Sequence, residues 1–360
     1  MVKKNKATGI MTPQTAPAAA LVADKTARDW SRVLINYRTP NSARSLFELA
    51  VTLGPFIALW GVAWWALSIS YLLALAIAVM NGVFLVRLFA IQHDCGHAAF
   101  FSNRILSDWV GRALGVLTLT PYDVWKKAHA FHHASHGNLD KRGMGDIHTM
   151  TVAEYKAASW RGKLAYRLYR NPLVMFGVGP LYMFYIQHRL PIGMMRSGWR
   201  VWTSAMGTNL GIAIVVALIL YFGGLMPLVL IFIPTTLIGA AIGVWLFFVQ
   251  HQFEDTVWDK DEDWELQDAA LMGSSHYDLP APLRWLTANI GIHHIHHLGS
   301  RIPFYRLTEV LRDHPVLAGQ QRLTLWQSFS CLKLHLWDEE RHKLLSYRQA
   351  RSNYARSKGA

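Results

Sequence analysis

Two long runs of the chain, residues 49–86 and 201–253, contain no charged side chain. A single helix through the first run would be ~57 Å long at about 1.5 Å per residue, whereas the hydrocarbon core of a bilayer is only ~30 Å thick. Each run is therefore expected to fold back and form a pair of membrane-spanning helices. We place the turns near residues 68–71 and 223–224, which predicts membrane hairpins over about 49–90 and 203–250.

The composition agrees with a membrane protein, because 52% of the 360 residues are hydrophobic and only 16% are charged. The net charge of +13 does not indicate nucleic acid as a partner, since no aromatic and basic binding module is visible. Both hairpin turns lack Lys and Arg, so the positive-inside rule predicts that both termini and the flanking segments lie in the cytoplasm. Two cysteines provide no disulfide framework.

Three short stretches hold an unusual share of the 17 histidines. Residues 129–133 and 293–297 repeat the spacing i, i+3, i+4, and residues 93–97 hold a pair at i, i+4, so on helices each set shares one face. Eight neutral nitrogen ligands are too many for one ion, and we predict two metal ions. The candidates are His93, His97, His129, His132, His133, His293, His296 and His297.

A ninth ligand follows from position, because His251 ends the returning helix of the second hairpin. That places it at the same membrane surface as the three histidine stretches.

The apolar run from Asn171 to Gln187 has a borderline length for spanning. If it crossed the membrane, the third stretch would lie on the opposite side from the first two, so we expect an interfacial or re-entrant segment.

Imidazole ligands suit iron, zinc, copper or manganese. Zinc hydrolases usually place a Glu beside the metal, as in H-E-x-x-H, and no histidine stretch here contains that Glu. Asp94 follows His93 and is expected to accept the other ring N–H of a bound histidine. Redox chemistry with oxygen is therefore favoured over hydrolysis. A haem-based electron carrier is disfavoured, because it needs only two axial histidines per haem and would leave most of these histidines unexplained. A metal transporter is also disfavoured, because it would bury ionisable residues within its spans, and the two long runs of the hairpins lack charged residues.

The motifs as a set resemble those of the membrane-bound fatty-acid desaturases. These are His93-Asp94-Cys95-Gly96-His97 and the two H-x-x-H-H stretches at 129–133 and 293–297, supported by residues 137–143, 251–255 and 300–303. The similarity covers roughly residues 40–340 and is greatest to bacterial acyl-lipid desaturases of the delta-12 (omega-6) type.

The resemblance implies an all-α membrane protein, in which four transmembrane helices and interfacial helices carry a cytosolic helical cap with a non-haem di-iron centre. The implied ligands are the eight histidines above and His251. Asn289 lies four residues before His293 and is therefore expected on the same helical face, where it would contact the metals through water or support a ligand. Phe247 stands where some relatives have a polar residue near the metals, which argues against a water ligand from that helix. The implied reaction uses O2 to form a cis double bond in an acyl chain, and a hydroxylase or ketolase of the same histidine-box superfamily is the alternative.

The remaining expectations concern limits, partners and location. We expect a basic, disordered tail over residues 1–40, a single desaturase domain over 41–345 and a basic tail over 346–360. No His-Pro-Gly-Gly stretch is present, so no haem domain is expected, and electrons would come from a separate ferredoxin-like protein. The substrate would be a membrane lipid or fatty acyl group, whose contact residues the sequence does not assign. The expected location is the bacterial cytoplasmic membrane.

Overall fold

The computed structural model describes residues 21, 22, 24–143 and 145–357. Its α-helices are α1 (Ala27–Val33), α2 (Ser42–Ala66), α3 (Tyr71–Gly96), α4 (Arg104–Leu117), α5 (Tyr122–Ser135), α6 (Val152–Ala157), α7 (Trp160–Tyr169), α8 (Gly179–Tyr185), α9 (Trp199–Gly223), α10 (Leu225–Pro227), α11 (Ile233–His251), α12 (Leu266–Met272), α13 (Ala281–Leu286), α14 (His293–Leu298), α15 (Leu307–Asp313), α16 (Leu325–Ser328) and α17 (Tyr347–Ser357). Its strands are β1 (Leu21–Val22), β2 (Lys25–Thr26), β3 (Met150–Thr151), β4 (His276–Asp278), β5 (Arg322–Thr324), β6 (Leu336–Asp338) and β7 (Lys343–Leu345).

Four helices of the described chain are long and apolar enough to cross a membrane, and they form the two predicted hairpins. The first hairpin is α2 and α3, and the second is α9 followed by the continuous helix Leu225–His251, which contains α10, a π-helical turn and α11. Ser70 caps α3 by accepting a hydrogen bond from the backbone N–H of Leu73. Gly224 turns the second hairpin with a φ of 70°, a conformation that favours glycine.

The two hairpins pack closely through glycine, and this packing places the ends of α3 and α11 side by side. A Cβ atom on Gly82 of α3 would lie 3.0 Å from the carbonyl oxygen of Thr235 and 2.8 Å from Ile238. On α11, a Cβ atom on Gly239 would lie 3.2 Å from the carbonyl oxygen of Gly82. Small residues let helices approach closely in membranes. Because both helices run toward the same surface, His93 and His251 end at one level.

The segment after α7 resolves the choice between an interfacial and a re-entrant path. The ring of Phe176 lies 5.3 Å from that of Trp245, near the His251 end of α11. The hydroxyl of Tyr185 forms a hydrogen bond with Thr236, which lies 15 residues, or ~22 Å, before His251 along the helix. Residues 174–185 therefore run beside α11 into the depth of the hairpin, as a re-entrant segment.

The cap, residues 122–170 and 252–346, covers the His93 and His251 ends of the hairpins. Its core includes buried Arg170, which donates hydrogen bonds to the side-chain oxygen of Gln252 (2.7 Å) and the carbonyl oxygen of Leu334 (3.0 Å). The helical cap that the sequence predicts also contains short β-strands. In the cap, β3 pairs parallel with β6, β6 pairs antiparallel with β7, and β4 pairs parallel with β5. These non-local backbone pairings are not visible in the helical period of the side chains.

The structure describes a helix within each of the two basic tails that the sequence analysis separates from the main domain. Within residues 1–40, this helix is α1, where Thr26 forms a capping box with Asp29 and Trp30 is buried; residues 1–20 lie outside the described residues. The basic tail expected over 346–360 contains α17, Tyr347–Ser357. The Ser346 hydroxyl accepts the backbone N–H of Gln349, and Ala350 is buried, which together stabilise this basic helix.

The glycine contact between the hairpins gives a direct test of the fold. We expect Gly82→Val to lower the free energy of unfolding by roughly 1–3 kcal/mol, because the new methyl groups would overlap Ile238 and the backbone of α11. The matched control is Gly61→Val on α2, where a Cβ atom meets nothing within 4 Å. Thermal unfolding in detergent measures both, and equal melting temperatures for the two variants would contradict the packing.

Candidate metal centre

Four segments of the chain deliver the predicted histidines to one place. His93 lies in the last turn of α3 and His97 caps its end, while His251 is the last residue of α11. The second stretch lies on α5, which is fixed to α4 by two ion pairs. Arg112 donates to Asp123 at 2.9 Å, and Lys126 donates to Asp108 at 2.7 Å.

The third histidine stretch forms the short helix α14, which is pinned to the end of α11. The backbone N–H of His293 donates to the carbonyl of Ser275 (3.2 Å), and the N–H of Ser275 donates to the carbonyl of Gln250 (2.9 Å). Gly291 is required here, because a Cβ atom would lie 2.5 Å from the carbonyl oxygen of Tyr277. The end of the second hairpin therefore sets the position of α14.

The structure brings all nine predicted histidines together and divides them into two groups. Within each group, one nitrogen of every ring lies within 4.8 Å of the others. The five-histidine group comprises His93, His97, His129, His133 and His296, and the four-histidine group comprises His132, His251, His293 and His297. The groups adjoin, since the rings of His133 and His297 stack at 4.1 Å.

In the five-histidine group, the close approaches between Nε2 atoms cannot all be hydrogen bonds. The Nε2 atoms of His97 and His129 are 3.0 Å apart, those of His129 and His133 are 3.1 Å apart, and those of His133 and His296 are 3.2 Å apart. An Nε2 atom has either one N–H or one lone pair in the ring plane. His129 and His133 each have two such neighbours and cannot make a well-aligned hydrogen bond to both.

These residues fit a pair of transition-metal ions. Two nitrogens bound to one ion at ~2.1 Å lie ~3.0–3.4 Å apart at octahedral or tetrahedral angles, which matches the separations above. In the four-histidine group, the Nε2 atoms of His293 and His251 are 3.0 Å apart. Three other Nε2 atoms, of His93, His132 and His297, are buried without a hydrogen-bond partner among the residues that the structure describes. Such buried nitrogens are expected to be satisfied by a ligand.

The electrostatics of the site keep the rings neutral. Burial, and secondarily repulsion between neighbouring imidazoles, holds the pKa well below the usual histidine value for His97, His129, His133, His293, His296 and His297. Neutral rings present lone pairs at pH 7, and metal ions bind histidine in this form.

Two carboxylates orient rings of the centre. Asp94 lies 3.2 Å from Nδ1 of His93, and its other oxygen accepts the backbone N–H of Phe304 at 2.7 Å. Asp146 lies 2.5 Å from Nδ1 of His132. When each Nδ1–H donates to its carboxylate, the Nε2 lone pair faces the centre. The position of Asp94 is the one that the sequence reading expected, and its role at a metal stays a prediction.

Sequence reasoning missed Asp146 and His136. Burial alone would raise the pKa of Asp146, but hydrogen bonds and charge from His132 and His136 lower it overall, so the carboxylate stays ionised. His136 donates through Nε2 to the carbonyl of Gly273 (2.8 Å) and contacts Nδ1 of His251 (3.2 Å). The i, i+4 spacing from His132 would have found His136, whereas no periodic signal links Asp146 to α5.

Two further expectations have mixed outcomes. Asn289 was assigned to the face of a helix that includes His293, and this premise is wrong, because α14 begins at His293 and Asn289 lies in a turn with a φ of 55°. Its side chain donates to the carbonyl of Phe304 at 3.1 Å. Phe247 does reach the centre, with its ring 5.1 Å from His132 and 5.0 Å from His251. It adds an apolar wall there.

Asp146 provides a test of the centre that leaves every predicted ligand in place. We expect Asp146→Asn to weaken iron binding on the order of 10–100-fold, because His132 loses a charged partner that orients it. Iron content after dialysis against a chelator, followed by elemental analysis, measures the loss. The control is Asp140→Asn in the same loop, where the carboxylate accepts the backbone N–H of Asp261; equal iron in both variants would contradict the assignment.

Comparison with known proteins agrees with this site. Residues 69–329 match the family model described as "Fatty acid desaturase". The chain is 46% identical over 312 residues to a protein of Bacillus subtilis named "Fatty acid desaturase", covering 87% of this chain and 88% of that protein. Two Synechocystis proteins are more distant. One, an "sn-1 acyl-lipid omega-3 desaturase (ferredoxin)", is 29% identical over 70% of this chain and 71% of its own length. The other, an "sn-1 oleoyl-lipid 12-desaturase", is 24% identical over 88% of this chain and 85% of its own length.

The extent of the family match decides the assignment, because it includes every histidine of both groups. This membrane protein belongs to the fatty acid desaturase family, and it is an oxidoreductase.

Proposed function

We propose that the chain is an oxygen-dependent di-iron desaturase that introduces a cis double bond into the acyl chain of a membrane lipid. The observation that carries the proposal is the division of nine histidines into adjoining groups of five and four. Each group has enough imidazole nitrogens to hold one transition-metal ion without any other protein ligand. Two separate groups from one set of helices indicate a two-metal centre.

The identity of the metal as iron is supported by the histidine ligands and by membership of the fatty acid desaturase family. The two histidine groups contain no carboxylate or thiolate, so they add no negative charge and favour retention of a divalent, reduced ion. Bound iron would supply the oxidant in a reaction that consumes O2, two electrons and two protons, removes two hydrogens from adjacent methylenes, and yields an alkene and two water molecules. A hydrolytic zinc site is disfavoured, because the histidine stretches lack the Glu of H-E-x-x-H and the two carboxylates beside the centre, Asp94 and Asp146, are occupied by Nδ1 of His93 and His132.

The protein's own residues orient the centre and keep it dry. Asp94 and Asp146 accept the Nδ1–H groups of His93 and His132 and so hold the rings in one tautomer. The centre lies at the ends of the membrane-spanning helices α3 and α11, and an acyl chain would reach it from the adjoining bilayer. Regioselectivity would follow from which methylenes are held against the two histidine groups.

We further propose delta-12 (omega-6) regioselectivity on an acyl-lipid. This rests on the resemblance of the histidine stretches and on the similarity to the sn-1 oleoyl-lipid 12-desaturase of Synechocystis. The omega-3 desaturase of the same organism is the competing relative. A hydroxylase or ketolase remains the alternative chemistry, and it would insert oxygen into the product.

The proposed electron donor is a separate ferredoxin-like protein, as the name of the omega-3 relative indicates for that enzyme. We also propose the bacterial cytoplasmic membrane, with the cap and both termini in the cytoplasm. The support is the absence of Lys and Arg from both hairpin turns. A cytoplasmic cap would give a soluble donor access to the centre.

Product analysis tests the reaction and its position. Expression in a host that makes only saturated and monounsaturated fatty acids is expected to give a new dienoic acid on gas chromatography, with the second double bond at carbon 12. His297→Ala, expressed to the same level, is the inactive control. An omega-3 product would overturn the regioselectivity alone, whereas a hydroxylated or oxo product would overturn desaturation.

Iron content tests the division of the histidines. The intact chain is expected to retain about two iron ions after reconstitution. His297→Ala leaves only three histidines in its group and is expected to lower this to about one. His97→Ala leaves four in the other group and is expected to stay closer to two. Equal iron loss in the two variants would contradict the division into five and four.

A further inference from the structure

A cavity outside the metal centre is lined by basic and hydroxyl side chains. It measures about 540 Å³ and lies between α7 and α17. Its lining, which we call the arginine pocket, consists of Arg167, Tyr347, Arg348, Arg351 and Ser352. Three of these five residues are arginines and none is acidic, so the side chains of the pocket carry a charge of about +3.

The positive charge of the arginine pocket is not neutralised nearby. Arg348 and Arg351 make no ion pair with any residue in the described ranges. Arg167 donates to the neutral hydroxyl of Tyr155 (2.6 Å) and lies over the ring of Tyr347 at 4.8 Å. The sequence after the pocket, residues 353–360, adds no Asp or Glu. Three guanidinium groups without a carboxylate favour an anionic ligand.

Tyr347 gives the arginine pocket a fixed aromatic wall. Its ring stacks on His335 at 4.2 Å and lies 5.3 Å from Tyr155. The guanidinium group of Arg167 lies 4.8 Å from the centre of the same ring, so the ring helps to hold this arginine at the pocket.

An exposed apolar stripe borders the arginine pocket on α7. Trp160, Leu164 and Leu168 recur every four residues and are 70%, 50% and 54% exposed, and Leu173 continues the stripe at 82% exposed. Arg167 follows Leu164 by three residues and lies at the edge of the stripe. An exposed apolar stripe flanked by basic residues is typical of a helix in the membrane interface.

The stripe is continuous with the membrane-facing part of the protein. Soon after Leu173 the chain enters the re-entrant segment, which packs along α11 from Trp245 to Thr236. Apolar exposure of this extent next to spanning helices is expected to be covered by lipid. An acidic protein would complement the arginines but would leave Leu164, Leu168 and Leu173 in water.

We propose that the arginine pocket binds the phosphate headgroup of an anionic membrane lipid, whose acyl chains lie along Trp160, Leu164 and Leu168. The guanidinium groups of Arg167, Arg348 and Arg351 contact the phosphate oxygens. The bound lipid fastens α17 and α7 to the membrane surface. This site is separate from the metal centre and does not depend on the reaction that the centre performs.

Native mass spectrometry of the full-length, iron-loaded protein in detergent tests the proposal. Phosphatidylglycerol is the anionic probe, and zwitterionic phosphatidylcholine, which has no net charge, is the comparison lipid. The intact protein is expected to retain one phosphatidylglycerol that Arg348→Gln/Arg351→Gln weakens on the order of tenfold to a hundredfold. Arg348→Lys/Arg351→Lys keeps the charge and is expected to restore most of the binding. Arg28→Gln/Arg32→Gln removes two arginines from exposed ion pairs elsewhere and is the matched control.

Three results would overturn the proposal. Equal retention of phosphatidylglycerol by the intact protein and the double Gln variant would exclude a headgroup site. Competition by inorganic phosphate at millimolar concentration would make the site one for free anions instead. A higher KM for a ferredoxin donor in the double Gln variant, with unchanged lipid retention, would assign the pocket to a protein partner. Lipid retention is measured without turnover, so its failure is distinguishable from a failure of the proposed reaction.

A label on α7 tests the apolar half of the site. Both native cysteines are buried, so Leu164→Cys in a nanodisc can carry an environment-sensitive dye. We expect its emission to be blue-shifted relative to the same dye on Ala153→Cys, an exposed position of α6. Identical emission from both positions would show that the stripe does not contact lipid.

Discussion

The nitrogen atoms of the metal centre are the constraint on which the rest of the structure depends. Nine neutral imidazoles point at two small volumes, and they have too few N–H groups to satisfy one another at separations near 3 Å. Such an arrangement is stable only if cations occupy the two volumes or if the surrounding packing holds the rings in place. The four segments that carry the rings must therefore be fixed by contacts outside the metal centre.

The membrane hairpins provide that fixing. Glycine contacts between α3 and α11 place His93 and His251 at one level, and the backbone of Ser275 ties α14 to the end of α11. The carboxylates of Asp94 and Asp146 then determine which nitrogen of His93 and His132 faces the centre. The spanning helices thus serve as a scaffold for the metal site as well as an anchor, which explains why an oxidoreductase with a buried centre is built around two hairpins.

The surroundings of the centre are consistent with a substrate that comes from the bilayer. The re-entrant segment beside α11 and the exposed stripe of α7 extend the apolar surface from the hairpins to the cap. The arginine pocket lies at the edge of this surface and marks the level at which headgroup phosphates would be found. Lipid contacts of the cap and acyl chemistry at the centre would then occur on the same side of the membrane.

The sequence by itself determined the two hairpins, their turns and all nine histidines that the structure gathers. Charge-free length and the spacing i, i+3, i+4 are local properties, and they identify which side chains share a face. Only the tertiary structure decided what lies opposite each face. The neighbouring residues His132 and His133 belong to different groups, because successive residues on a helix point about 100° apart and α5 lies between two sets of partners. Asp146 reaches His132 from a loop, and α17 packs against Tyr155 and His335; such contacts between distant parts of the chain have no period in the sequence.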